Sequence, residues 1–570
     1  GQRFRRGIGG RVQHLRLAPQ ARGAGGGALR QRLEGGDAAG DQRVAGVGPN
    51  RHGGESALAL RAQAPSLFLM PERPAGPVND LVLASARIPG GTALYDVHVA
   101  GGVVSRLAPA GTPGNPGTQV VDLDGRYVIP GLWDEHVHMT QWALAANRID
   151  LSGAASAGEA ADVVRSYLSG PGLSPAGGGG LTAVGVGFRD AIWADVPSLE
   201  LLDGATRGRP AALLSHDLHC VWLNSAAASL YGVAVDASGL LREEPAFELT
   251  RELGKLPDAV VDAWVRESAQ AAAGRGIVGI VDFEMTWNRD VWLRRVACGF
   301  DSFRVDAGVY PQDLDRAIAA GLRTALELPG GAGLLRVGPL KVLIDGSLNT
   351  RTAYCVDPYP HGGRGLLTVS EAELLELLVR ARKSGFVPAV HAIGDAANEV
   401  ALDAFAAAGI AGRIEHAQFV RGQDFIRFGE LGLTASVQPA HALDDRDAAD
   451  SNWPGRTDRA FPLRSLLAAG ATLALGSDAP VAPLEPWTAM SAATTRARQD
   501  GRGPWHPEQA LTRREALTAS TRGQGTVRAG VPADLVVLDG DPLAVSDAVF
   551  AAMPVAATLV AGRFTFRGGV

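Results

Sequence analysis

Through the middle of this chain, short apolar runs alternate with Ala-, Leu- and Arg-rich stretches of helical character. That alternation predicts parallel βα units. The apolar runs end near His138, Glu284, Tyr310, Ile344, His391, His416, Val437 and Asp478. Eight such ends are what a closed (β/α)8 TIM barrel needs. The expected fold is therefore α/β, with catalytic groups at the C-terminal ends of the strands. The stretch between His138 and the second run is too long for one helix. An insertion after the first barrel strand is expected at about 140–270, with strands of its own at 183–186 and 212–214.

The two ends of the chain carry a different pattern. Leu81-Val82-Leu83-Ala84, Tyr95-Asp96-Val97-His98-Val99 and Val103-Val104 lie between Gly and Pro turns and read as short strands. Ala533-Asp534-Leu535-Val536-Val537-Leu538, Ala557-Thr558-Leu559-Val560 and Arg563-Phe564-Thr565-Phe566 match them near the other end. A small β-sandwich domain built from both ends, 77–129 and 523–570, is expected beside a barrel at 130–522. No internal repeat is visible.

Residues 1–69 differ again. They are dense in Gly, Ala, Arg and Gln, with Phe4 and Phe68 as their aromatics and no apolar periodicity. Such a composition buries too little surface to offset chain entropy. The expectation is a disordered or non-native N-terminal extension, with the natural start at Met70, the first methionine. A genuine disordered tail is the alternative. Arg5-Arg6 is not followed by the apolar stretch an export signal requires.

Composition narrows the classes. A chain of 570 residues with 46% apolar and 20% charged content is globular and large enough for one big domain with appendages. A net charge of −6 gives no case for nucleic acid or an acidic membrane surface. No apolar run approaches the roughly 18 residues of a membrane span. Three cysteines, Cys220, Cys298 and Cys355, are odd in number and far apart. They argue against a disulfide framework and for a reducing, cytoplasmic setting.

Candidate chemistry gathers at the predicted strand ends. His136, His138, Lys341, His391, His416 and Asp478 offer four imidazoles, one amine and one carboxylate. Imidazole and carboxylate are usual ligands of a catalytic divalent metal. His136 and His138 are two apart, so on a strand both rings face the same way. The lysine is the unusual member, because the chain has only Lys255, Lys341 and Lys383 and otherwise uses arginine. A neutral ε-amine can add carbon dioxide and become an anionic carbamate, whereas a guanidinium stays protonated. Taken singly, Lys341 could instead pair with Asp345, His391 and His416 could be satisfied core histidines, and Asp478 could cap a turn.

The motifs carry a family resemblance. Pro130-Gly-Leu-Trp-Asp-Glu-His-Val-His138, Lys341-Val-Leu-Ile-Asp-Gly-Ser-Leu with Arg351-Thr-Ala, and His391-Ala-Ile-Gly-Asp395 are three of them. Arg413-Ile-Glu-His416-Ala-Gln, Ser436-Val-Gln-Pro439, Gly476-Ser-Asp478-Ala-Pro480 and Gly530-Val-Pro-Ala-Asp-Leu-Val-Val-Leu538 complete the set. Together they resemble the metal-dependent amidohydrolase superfamily, in the subgroup called amidohydrolase family 3, over roughly 79–570. The resemblance implies two divalent metal ions, with zinc expected. His136 and His138 would bind the more buried ion, and His391 and His416 the second. Lys341, carboxylated by carbon dioxide, would bridge them. Asp478 would touch the first ion and act as general base. Two metals about 3.5–4 Å apart can activate a bridging hydroxide and polarise a scissile carbonyl. Ala396 and the compressed Thr521–Thr526 stretch depart from the family pattern without removing a ligand.

A second cluster, His216-Asp217-Leu218-His219-Cys220-Val221-Trp222-Leu223-Asn224, falls in the insertion. His219 is the candidate for contacting the substrate oxygen, and Asp217 and Asn224 are expected to hold the loop. Arg351 would bind an anionic group or anchor its loop by a bidentate pair. Gln438, His441, Asp444 and Asp445 follow the seventh strand and are expected to line the pocket. Cys220 has no feature that would lower its pKa, so a structural role is expected. The leading function is hydrolysis of non-peptide carbon–nitrogen bonds in a small amide-like molecule through a metal-activated hydroxide. Esterase, lactonase or deaminase chemistry is the alternative on the same scaffold. A non-catalytic scaffold would have shed ligands, and this chain keeps all six. A homodimer is left open.

Overall fold

The computed structural model describes residues 80–570, apart from 113–114, 170–181, 189–192, 216–219, 243, 361 and 499–500. The expected extension at 1–69 lies outside the described residues, as do Asp217 and His219.

Five strands open the described chain: β1 (Leu81–Arg87), β2 (Leu94–Ala100), β3 (Val103–Pro109), β4 (Gln119–Asp122) and β5 (Tyr127–Pro130). Next comes β6 (Leu132–Val137). A group of five follows: β7 (Ile149–Asp150), β8 (Ala183–Phe188), β9 (Ala211–Ser215), β10 (Cys220–Leu223) and β11 (Leu240–Arg242). The long middle continues with β12 (Ile277–Asp282), β13 (Arg304–Val309), β14 (Leu335–Leu343) and β15 (Pro388–Ala392). It ends with β16 (Arg413–His416), β17 (Thr434–Val437) and β18 (Thr472–Leu475). Finally come β19 (Leu535–Leu538), β20 (Val555–Val560) and β21 (Arg563–Arg567).

The strands form three sheets. The first takes strands from both ends of the described chain, in the order β21-β20-β19-β5-β1-β2-β3, with β4 branching from β1. Its β19 explains why a continuous apolar run is needed there. Leu535 and Val537 join the core of this sheet, while Val536 and Leu538 join the core of the large sheet. Alternation puts successive side chains on opposite faces, and here both faces are buried.

The large sheet is parallel and runs in chain order from β6 through β12 to β18. Its two edges meet. Val137 bridges Ala479, the Asp478 N–H donates to His136 O at 2.7 Å, and the His138 N–H donates to Ala479 O at 2.9 Å. The result is a nearly closed eight-stranded barrel whose strands end within three residues of the expected positions, β18 at Leu475 against Asp478 being the furthest off. Helices pack around it by local rules. The helix Glu371–Ser384 starts with a capping box, Ser370 with Glu373, and ends at Gly385 with φ 75°. Its buried residues Leu374, Leu378 and Ala381 repeat at three to four positions, one apolar stripe facing the core.

The third sheet, β11-β10-β9-β8-β7, lies in the chain between β6 and β12 and has its own core around Phe188, Leu213 and Trp222. Among the described residues no helix is long and apolar enough to cross a membrane.

Candidate metal centre

The site begins with β6. Both imidazoles sit at its C-terminal end, and His136 is buried. Its Nδ1 lies 2.7 Å from Glu415 Oε2. Glu415 in turn accepts from Arg413 Nε at 2.8 Å, and Arg413 Nη1 donates to Glu135 Oε2 at 2.7 Å. Burial alone would raise the Glu415 pKa, but Arg413, His136 and Lys341 hold it well below the usual carboxylate range. A carboxylate on one imidazole nitrogen fixes the ring and leaves the other nitrogen, Nε2, for a cation.

Arg413 and Glu415 are two apart on β16 and share a face, so strict alternation would send His416 the other way. The chain breaks the alternation with positive φ at His416 (74°) and Ala417 (43°). This sparsely populated conformation, costing of order 1–3 kcal/mol per residue, is a recurrent feature of functional sites. The His416 ring ends 5.0 Å from that of His136 and 4.4 Å from that of His391. Asp478 also has positive φ, at 57°. Its loop can come this close because position 476 is glycine. A Cβ there would meet His136 N at 2.7 Å and His136 Cβ at 2.9 Å.

All six predicted ligands come together. Single ligand atoms of His136, His416 and Asp478 lie within 4.8 Å of one another. Asp478 Oδ1 is 3.4 Å from His138 Nε2 and 3.5 Å from His136 Nε2. Lys341 Nζ is 3.1 Å from His136 Nε2 and sits over the Phe283 ring. His391 Nε2 lies 3.3 Å from Gly346 O and 3.4 Å from Asp345 Oδ1. The Nδ1 atoms of His138 and His416 are buried without a hydrogen-bond partner. Burial, reinforced by Lys341, takes His136 down to about 4 and His391 to about 3, and His416 falls well below its ordinary value. Burial alone would raise Asp478, but His136, His138 and His416 hold it well below the carboxylate range. Burial would also lower His138, and its contact with Asp478 reverses that. Lys341 is lowered by burial to about 8. The lowered imidazoles of His136, His391 and His416 beside an ionised Asp478, with buried nitrogens of His138 and His416 left unpaired, are a donor set that fits a divalent cation.

The other predicted residues divide. Asp345 does not pair with Lys341. Its carboxylate accepts from the N–H groups of Tyr354, Ile393 and Gly394 at 2.9, 3.1 and 2.9 Å. Asn224 holds its loop as expected, accepting from Ala211 and Ala227 N–H and donating to Thr206 and Arg209. Cys220 is buried in the core around Trp222. Arg351 is exposed and forms no side-chain ion pair among the described residues, so the bidentate anchor is absent there. Gln438 and His441 are buried, but Asp444 pairs with Arg498 and Asp445 accepts from Asn349 Nδ2 at 2.7 Å. Those two acids are therefore already engaged with other loops. Glu415 and Arg413, which hold the His136 ring, were not singled out by the sequence reading beyond their place in the Arg413–Gln418 motif. A carboxylate inside an apolar strand, next to a histidine, was the available signal for Glu415.

Comparison with known proteins agrees with this geometry. The profile of a family described as "Amidohydrolase family" matches residues 119–566. The chain is similar to an N-substituted formamide deformylase of Arthrobacter pascens, 28% identical over 488 residues, covering 75% of this chain and 86% of the relative. It is also similar to the protein LONG AFTER FAR-RED 3 of Arabidopsis thaliana, 28% identical over 471 residues, covering 74% and 79%. Among solved structures, an uncharacterised metal-dependent hydrolase from Pyrococcus furiosus superposes with a TM-score of 0.66 at 25% identity, covering 81% of this chain and all of that one.

Proposed function

The chain belongs to the amidohydrolase family, and from that premise we propose that it hydrolyses a non-peptide C–N bond of a small amide-like molecule at a two-metal site, with zinc as the metal. The supporting observation is the convergence of His136, His416 and Asp478 within 4.8 Å at the C-terminal end of the parallel strands. In this reading the nearly closed sheet is a (β/α)8 barrel with its active site at that end.

His136, His138 and Asp478 would hold one ion, and His391 and His416 the other. Lys341 Nζ, 3.1 Å from His136 Nε2 and unpaired with Asp345, would lie between them. One carbon dioxide added to Nζ, with loss of a proton, makes it an anion. An unmodified ammonium would put a cation among the ligands. Bound metal supplies Lewis acidity for the scissile carbonyl and lowers the pKa of water. The chain's own residues do the rest. Asp478 takes the proton of the attacking water and delivers it to the leaving nitrogen as the C–N bond breaks. The water oxygen stays on the carbonyl carbon, so the products are an acid and an amine. Glu415 holds His136 in orientation throughout.

The test is a substrate screen on metal-loaded protein in bicarbonate. N-substituted formamides, the class named for the Arthrobacter relative, head a panel of N-acyl amines, cyclic amides, lactones and aminopurines. Release of amine from formamides or N-acyl amines is expected. Turnover confined to lactones, or ammonia release confined to aminopurines, would replace this reading with the esterase or deaminase one.

A further inference from the structure

We infer that His441 donates a hydrogen bond from Nε2 to the carbonyl oxygen of the substrate. The inference rests on the C–N hydrolysis proposed above and adds a residue to it. His441 opens the short helix that follows β17, at the same end of the sheet as the metal ligands. The residue is 4% exposed, and its ring lies nearly parallel to the His416 ring, 15° apart with centroids at 6.4 Å.

The two ring nitrogens have different surroundings. Nδ1 is 3.5 Å from Gln418 Nε2. With the amide nitrogen as donor, Nδ1 accepts, and we place the ring hydrogen on Nε2. That Nε2 is buried and has no partner among the described residues. A histidine built into a core pairs both nitrogens, and a buried donor without an acceptor is costly to keep. Nor does His441 belong to the group of ligand atoms around His136, His416 and Asp478. The Oε1 atoms of Gln418 and Gln438 are also buried and unpaired. Polar atoms left unsatisfied on residues just past β16 and β17 are what a ligand would complete.

An N–H donor suits a carbonyl oxygen, because that oxygen gains negative charge as water adds to the carbon. The hydrogen bond therefore strengthens towards the transition state. Gln418 is then a positioning residue, since it decides which nitrogen carries the hydrogen. His219, the earlier candidate for this contact, lies outside the described residues.

The test uses the full chain, metal-loaded, with the amide of the panel that has the highest kcat/KM, and with methylphosphonate as a tetrahedral oxyanion probe. For His441→Ala, kcat should fall about 10²–10³-fold, the effect of losing one oxyanion donor. KM and metal content should change little. His441→Asn, which keeps an N–H, should recover part of the loss. Gln418→Leu should lower kcat while metal is retained. Methylphosphonate should bind His441→Ala at least about tenfold more weakly than wild type by calorimetry. Unchanged kcat and unchanged methylphosphonate affinity in His441→Ala would overturn the inference. So would loss of metal in both His441 variants, which would make the ring a ligand. Wild-type protein that binds methylphosphonate but turns over no amide would overturn the proposed function, and the affinity ratio would still decide the role of His441.

Discussion

Glu415 Oε2 lies 2.7 Å from His136 Nδ1, across 279 positions of sequence, and both side chains are buried. This contact determines which nitrogen of His136 faces the ligand cluster. Glu415→Ala should therefore weaken metal binding about 10–100-fold, the usual effect of removing a partner that orients a metal-bound imidazole. Glu415→Gln should lose less, because its carbonyl still accepts from the ring. Metal content after dialysis against graded chelator measures it, and equal retention by wild type and Glu415→Ala would refute the orienting role.

Lys341 separates two readings. As a carbamate, it predicts that Lys341→Ala still folds but loses metal and activity, with partial rescue by high acetate or propionate. Lys341→Arg should stay inactive, because it keeps a cation where an anion is needed. The three backbone N–H groups on Asp345 already argue against simple ion pairing. An active Lys341→Arg enzyme with normal metal content would end the carbamate reading.

Asp478→Asn keeps the shape of the side chain and removes its basicity. The expected loss in kcat is about 10²–10⁴-fold, the range for a positioned general acid–base group. Metal analysis on the same sample shows how much of that loss comes from a missing ligand. A variant with full metal and wild-type kcat would remove Asp478 from the proton path.

Gly476→Ala places a methyl against the backbone of His136. Destabilisation of about 1–3 kcal/mol is expected from overpacking at such a contact. A thermal unfolding midpoint equal to wild type would show that β18 and β6 can part without cost.

One ion pair sets an acid limit away from the metal. Hydrogen bonds from Arg464 hold Glu515 down to about 2, against an ordinary 4.5. The depressed pKa means that its stabilisation is complete above 4.5 and is lost as pH falls towards 2. Glu515→Gln should therefore be less stable than wild type at neutral pH, and the gap in urea midpoint should shrink as pH drops below about 4. A gap that widens in acid would contradict the assignment.

The strand ends and all six ligand candidates could be read from the chain alone, because both are local properties. Apolar runs of strand length mark buried strands, and a spacing of two puts His136 and His138 on one side. The run Leu535–Leu538 likewise announces a strand buried on both faces. What sequence could not supply were contacts that depend on closure of the sheet. Glu415 meets His136 only because the meeting of the sheet's two edges brings β16 and β6 within reach of each other. His416 turns inward only through a backbone conformation that alternation does not predict. Asp345 binds three backbone N–H groups, not the nearby lysine, and Asp444 and Asp445 are drawn to other loops. Local periodicity determines which residue types stand at which strand ends. Which of them touch is decided by long-range packing, where a group's partner is whatever the closed fold brings within hydrogen-bonding distance.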